Sequence, residues 1–84
     1  MPRAGKRATA FKQCRGTFKF REFERLLKEL GYEKNPAGRS GGSRRSYSHP
    51  HTKQKIMLDE PHDGEMKPGM VRRLQRRLTE LGLI

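Results

Sequence analysis

The sequence lacks the residues and segments on which several classes of small protein depend. It has no Trp, and Cys14 is its single cysteine, which excludes a disulfide framework and a cysteine-ligated zinc site. No apolar run approaches the ~20 residues of a membrane-spanning helix. With 31% hydrophobic residues among 84, we expect one small domain with a modest core and no buried cofactor. A lone cysteine fits a reducing, cytoplasmic setting.

Acidic residues are also scarce, since 9 Asp and Glu face 20 Lys and Arg for a net charge of +11. Charge repulsion of this size favours an anionic partner, either nucleic acid or an acidic protein. Residues 1–19 contain no acid, and they show little apolar periodicity around Pro2, Gly5 and Gly16. We therefore predict a basic, disordered arm over 1–19, followed by a folded domain over 20–84.

Two amphipathic helices enclose this domain in the sequence. The first is predicted over 20–30, with Gly31 in the position of a helix C-terminal glycine. The second begins at Pro68, which suits a first helical turn, and stops at Gly82. Their apolar stripes have the same spacing and consist of Phe20, Phe23, Leu27 and Leu30 in one helix and Val71, Leu74, Leu78 and Leu81 in the other.

Short strands are predicted between the helices, over 44–49 and 54–58, with a third possible over 32–34 and a hairpin turn at 50–53. Alternation along the first places Arg44, Ser46 and Ser48 on one face and Arg45, Tyr47 and His49 on the other. Ile56 and Leu58 face the core. This order predicts an α+β fold, with a small antiparallel sheet that carries both helices on one face and leaves the other open.

Several side chains could act on an anionic ligand. The last helix carries a cluster of arginines that suits phosphate groups, namely Arg72, Arg73, Arg76 and Arg77. The sequence also has His49, His51 and His62, and an imidazole beside a cation can deprotonate a ribose 2′-OH. His51 is expected to be merely exposed, and His62 could simply order its turn. An acidic group with His62 leaves a weak Mg²⁺ alternative (Asp59, Glu60, Asp63 and Glu65), but we predict no metal site.

From residue 20 to 84 the chain resembles the HicA toxins, the mRNA-cleaving members of HicA–HicB toxin–antitoxin pairs. The resemblance rests on four segments. The first two are the helix that ends at Gly31-Tyr32 and the block Gly42-Ser43-Arg44-Arg45-Ser46-Tyr47-Ser48-His49-Pro50. The other two are the turn Pro61-His62-Asp63-Gly64-Glu65-Met66-Lys67-Pro68-Gly69 and the last helix, which leads into Leu81-Gly82-Leu83-Ile84. The resemblance implies an αβββα fold similar to double-stranded RNA-binding domains. It also implies metal-independent endoribonuclease activity on mRNA, and neutralisation by a HicB-like antitoxin.

The sequence departs from the family pattern at one position, because Arg44 stands where the family usually has its catalytic histidine. Arginine keeps its proton and cannot act as a general base. We therefore expect Arg44 to bind the scissile phosphate while His49, or else His62, acts as the base. RNA is expected to dock on the open sheet face through Arg44, Arg45, Lys53 and Lys55.

Further expected RNA contacts come from Ser43, Tyr47, Lys67 and the four arginines of the last helix, and the basic arm is expected to add non-specific phosphate contacts. The alternatives are an RNA-binding module that does not cleave, and a protein whose basic face meets only an acidic antitoxin.

Overall fold

The computed structural model describes residues 5–36 and 44–84, and within them it has three helices and five short strands. The elements are α1 (Gly5–Gln13), β1 (Phe18–Lys19), α2 (Phe20–Glu29), β2 (Glu33–Lys34), β3 (Arg44–Ser48), β4 (Lys55–Asp59), β5 (Glu65–Met66) and α3 (Pro68–Glu80). One antiparallel sheet has the order β2-β3-β4, and β1 pairs with β5 in a second. The predicted α+β fold is confirmed, with an additional helix and a two-stranded sheet.

The core forms where the helices cover one face of the larger sheet. Its 13 buried hydrophobic residues include the predicted stripes of α2 and α3 except for Leu30 and Leu81, which are partly buried, with Ile56 and Leu58 from β4. Leu81, Leu83 and Ile84 pack partly buried against it. Each buried aliphatic or aromatic side chain contributes about 1.5–3 kcal/mol, so this cluster holds the helices on the sheet. No helix in the described parts of the chain is both long and apolar enough to cross a membrane.

Both long helices end in the same way, as their glycines predicted. Gly31 and Gly82 have φ of 96° and 75°, in the left-handed region that glycine adopts without strain. The next residue then donates its N–H back into the helix, from Tyr32 to the Leu27 carbonyl and from Leu83 to the Leu78 carbonyl, each at 2.9 Å. This arrangement satisfies end carbonyls and directs Tyr32 into the core.

The expected disordered arm is wrong for residues 5–19, which form α1 and β1; residues 1–4 lie outside the described residues. Phe11 is fully buried, with its ring centroid 5.0 Å from those of Phe18 and Phe23. Arg7 of α1 forms ion pairs with Glu22 and Glu29 of α2. One large apolar residue in α1 gives no periodicity, so the sequence pattern could not reveal a helix that tertiary contacts stabilise.

The carboxyl end of α1 is held by a single side chain of α3. The Gln75 amide nitrogen donates to the carbonyls of Phe11 and Cys14, both at 2.7 Å. The last carbonyls of a helix have no partner within the helix. Gln75 therefore satisfies carbonyls at this end and fixes α1 against α3.

Tyr47, expected to contact RNA, instead lies in the core at 3% exposure. Alternate residues of a strand point to opposite faces, and Tyr47 is on the helix side, where its hydroxyl donates to Glu24 Oε2 at 2.6 Å. Burial, reinforced by this carboxylate, raises the pKa of Tyr47 far above its ordinary value of 10.0. Tyr47 therefore supports the sheet from within and cannot offer its ring to a ligand.

Replacing Phe11 tests whether α1 belongs to the folded domain. Phe11→Ala should lower the free energy of unfolding by about 3 kcal/mol or more, because it empties a fully buried aromatic site. Urea unfolding measures this change, and the exposed neighbour Lys12→Ala serves as control. A loss below about 0.5 kcal/mol for Phe11→Ala, the range of ordinary surface substitutions, would mean that α1 is not part of the core.

The raised pKa of Tyr47 predicts an alkaline loss of stability. Between pH 10 and the folded pKa, Tyr47 ionises only in the unfolded chain, so the free energy of unfolding falls as pH rises above 10. In Tyr47→Phe this fall should be shallower. Some of the fall should remain, because burial also raises the pKa of Tyr32. Guanidinium unfolding from pH 8 to 11 compares the two slopes, and equal slopes would refute the assignment.

Candidate functional site

The open face of the larger sheet is polar and surrounds one exposed apolar residue. β3 and β4 pair Ser46 with Met57 and Ser48 with Lys55, on the face opposite the core. Met57 is 50% exposed, unlike every other large hydrophobic residue that the structure describes. The Asn35 side-chain amide donates to both serine hydroxyls at 2.8 Å and fixes them. The register needed to recognise this Asn–Ser–Ser group was not available from the sequence.

Arg44 begins β3 on this open face, and its guanidinium is available to an anion. The side chain is 70% exposed, and its Nε lies 3.7 Å from the Asp59 carboxylate, which is itself 63% exposed. An exposed ion pair of this length contributes little, so a phosphate group can displace Asp59. Ser43, the preceding expected ligand, lies outside the described residues.

Arg45 does not share the open face, contrary to expectation. It pairs in register with the buried Leu58, and its Nη2 lies 2.9 Å from Glu60 Oε1, with 24% of the side chain exposed. Neighbouring residues in a strand cannot present side chains to the same face. Arg45 therefore lies on the helix side of the hairpin, where it contacts Glu60. Of the two arginines, Arg44 is the one on the open face.

The imidazole of His49, the expected base, accepts hydrogen bonds from the backbone of the hairpin turn. Its Nδ1 accepts the backbone N–H groups of His51 and Thr52, each at 3.2 Å, which assigns the proton of the neutral ring to Nε2. The ring packs edge-on against Tyr32 with centroids 5.3 Å apart. His49 also lies five residues from Arg44 along an extended strand, about 16 Å at the usual rise. The two side chains therefore stand at opposite ends of the hairpin.

His62 lies at the same end of the hairpin as Arg44. It occupies an exposed turn just after β4, closed by the Gly64 N–H donating to the Pro61 carbonyl at 3.2 Å. Gly64 in turn accepts the Phe20 N–H at the start of α2, at 2.9 Å. Since Asp59, the last residue of β4, pairs with Arg44 and His62 follows three residues later, the His62 turn stands at the Arg44 end of the hairpin. Within the described residues, the His62 imidazole has no hydrogen-bond or ion-pair partner.

The other expected RNA contacts lie on two separate surfaces. Lys53 and Lys55 stand at the His49 end of the hairpin, where Lys53 has a φ of 63° in the turn. Lys67 precedes α3, and all these side chains are exposed, as are Arg72, Arg73, Arg76 and Arg77 on α3. In the parts of the chain that are described, none of these seven forms an ion pair.

The acidic residues between β4 and α3 have local structural roles. Asp59 and Glu60 pair with Arg44 and Arg45, and the Asp63 carboxylate accepts the Glu65 N–H at 3.0 Å. Over residues 5–36 and 44–84, no group of three or more His, Cys, Asp or Glu is arranged to hold a metal ion. Asp59, Glu60 and Asp63 therefore each contact a neighbouring residue of this end of the hairpin.

The close packing of His49 on Gly31 predicts an asymmetry between the two helix-ending glycines. A Cβ on Gly31 would lie 2.9 Å from His49 Nε2, whereas one on Gly82 would have no atom within 4 Å. Gly82→Ala should lower stability by about 1–2 kcal/mol through its positive φ alone. Gly31→Ala should cost about 1–3 kcal/mol more, as measured by urea unfolding.

The double variant Gly31→Ala, His49→Ala removes the clash, so part of the extra loss should be recovered relative to the two single variants. If Gly31→Ala and Gly82→Ala were equally destabilised, the imidazole would not be packed against the glycine.

Comparison with known proteins places these features in a family. Neither the curated proteins nor the solved structures include a match to this chain. A family model described as "HicA toxin of bacterial toxin-antitoxin" matches residues 20–83, from the start of α2 to beyond the end of α3. It covers the sheet, both helices of the predicted domain and the turn of His62, but not α1. The chain belongs to the HicA family of bacterial toxins from toxin–antitoxin systems.

Proposed function

We propose that this chain is a metal-independent endoribonuclease that cleaves mRNA and thereby arrests translation. The observation that carries the proposal is the placement of Arg44 and the His62 turn at one end of the open hairpin, in a chain of the HicA family. One group is a permanent cation and the other a titratable base, which are the two functions that RNA cleavage without a metal requires.

Each residue has a defined part in this reaction. The Arg44 guanidinium binds the nonbridging oxygens of the scissile phosphate and neutralises the charge that develops there. The His62 imidazole removes the proton of the adjacent ribose 2′-OH, and the 2′-oxygen attacks phosphorus. The bond to the 5′-oxygen breaks, and the proton returns from the imidazolium to that oxygen. The products are a 2′,3′-cyclic phosphate and a 5′-hydroxyl end.

The surface around this end suits a single-stranded segment of RNA. Ser46, Ser48 and Asn35 form a fixed polar group on the open face, and Met57 offers apolar area to a base. Lys53 and Lys55 supply cations farther along the hairpin for the sugar–phosphate backbone. Bound RNA would thus extend from Arg44 toward the hairpin turn.

A HicB-like antitoxin is the expected protein partner, since the family consists of toxins of toxin–antitoxin systems. Such an antitoxin would neutralise the toxin most directly by covering the Arg44 end of the hairpin. Both the toxin and its mRNA target would then be cytoplasmic.

An RNA-binding module that does not cleave is the second candidate. It is favoured by the observation that His49 Nδ1 accepts two backbone N–H groups, and it agrees with the resemblance, which implies that Arg44 stands where the family usually has a histidine. This candidate keeps the RNA surface described above and lacks only the chemical step.

The two candidates are separated by cleavage of an mRNA transcript in excess EDTA. The native protein should cut, leaving cyclic phosphate ends, and His62→Ala should lower the rate about 100-fold or more while RNA affinity is retained, as for loss of a general base. His51→Ala, an exposed histidine of the hairpin turn, is the control and should cut normally. Full activity in His62→Ala would refute the assignment of the base.

Binding without cutting by the native protein would establish the second candidate instead. In that case Arg44→His should gain cleavage if the substrate surface is otherwise intact.

A further inference from the structure

We propose that the groove between the carboxyl end of α1 and α3 is a second RNA-binding site, which holds backbone phosphates away from the scissile bond. The proposal rests on the RNA-directed function above and extends it to a surface that α1, outside the family match, helps to build. The groove is lined by Lys12, Gln13, Cys14, Arg15, Arg72 and Gln75.

The groove is positively charged and contains no acid. Lys12 and Arg15 come from the end of α1 and the residues after it, and Arg72 faces them from α3. Their side chains are exposed, and within the described residues none of the three forms an ion pair. Arg76 stands one helical turn beyond Arg72, a like-charge spacing that costs stability unless an anion relieves it.

The groove has a fixed shape because Gln75 holds it together. Gln75 lines the groove, and its amide donates to the Phe11 and Cys14 carbonyls at 2.7 Å. Phe11 itself is fully buried beneath. The two walls of the groove are therefore held in place, so that binding an anion between them does not require the walls to be ordered first.

The lining favours a polyanion over a protein surface. Protein interfaces depend on buried apolar or aromatic anchors, and the large hydrophobic residue that the described structure exposes, Met57, is on the open sheet face. The groove instead offers two guanidinium groups and an ammonium group, which match the phosphates of a nucleic-acid backbone.

The groove and Arg44 lie on different sides of the molecule. α3 covers the buried face of the sheet, whereas Arg44 faces the open side. An RNA strand that contacts both must therefore run around the edge of the sheet, which a dinucleotide is too short to do. We therefore expect the groove to raise affinity for long RNA without taking part in cleavage.

The test compares two triple variants that each remove three positive charges. The groove variant is Lys12→Gln, Arg15→Gln, Arg72→Gln; the control is Lys6→Gln, Arg21→Gln, Lys28→Gln, which changes exposed cations elsewhere on α1 and α2. Affinity for a 2′-O-methyl RNA of about 20 nucleotides, which cannot be cut, is measured by fluorescence anisotropy over a range of NaCl concentrations. Circular dichroism and urea unfolding confirm that both variants fold.

For the groove variant, the plot of log affinity against log salt should become shallower by about 2, the loss expected for three phosphate contacts on a single strand. The control should keep the native slope and lose only a few-fold in affinity. Equal slopes for the two variants would overturn the proposal, because net charge alone would then explain the binding.

Cleavage assays separate this proposal from the proposed function. The groove variant should show a larger rise in KM on long RNA than on a dinucleotide, because a dinucleotide bound at Arg44 is too short to reach the groove. If the native protein neither binds nor cuts RNA, the proposed function fails. If it does both and the groove variant is unaffected on every substrate, or loses only its binding to an antitoxin, the groove proposal alone fails.

Discussion

The structure depends on a single apolar cluster that no one element can complete. The described chain buries 13 hydrophobic residues, and these come from all three helices, the hairpin, β5 and the segment that follows α2. In a domain this small, each buried side chain is a large fraction of the net stability. The hairpin that carries Arg44 therefore keeps its position only while the helices remain packed on the other face of its sheet.

Acidic residues pair with basic residues at the contacts between elements, whereas the arginines of α3 have few acids near them in the sequence. Glu22, Glu24 and Glu29 on α2 each form an ion pair with a basic residue from within or outside the helix, and Asp59 and Glu60 pair with arginines of β3. The arginines of α3 have only Glu80 as an acid on the same helix. The large net charge is thus not spread evenly, since the acids neutralise cations where elements meet and leave an excess on the outer faces.

Periodicity was sufficient to predict α2, α3, the hairpin and the fold class, because in each of these a repeated apolar position reports a buried face. It failed where tertiary contacts decide the structure. Phe11 alone could not indicate a helix, and strand alternation could not tell which face of β3 would meet the helices, so Tyr47 and Arg45 were expected on the ligand side. That Arg44 and the His62 turn share one end of the hairpin follows from the register of β3 and β4, which sequence spacing does not provide.

The segment that matches the family model is shorter than the segment that shares one hydrophobic core. The family match begins at residue 20, whereas the hydrophobic cluster begins at Phe11 and β5 pairs with a strand that ends at Lys19. A fragment cut at the family boundary would leave Phe23 and Met66 facing water where the native chain covers them. Amino-terminal residues outside the family match are thus part of the interior, so a substitution at Phe11 acts on the same core that holds the hairpin.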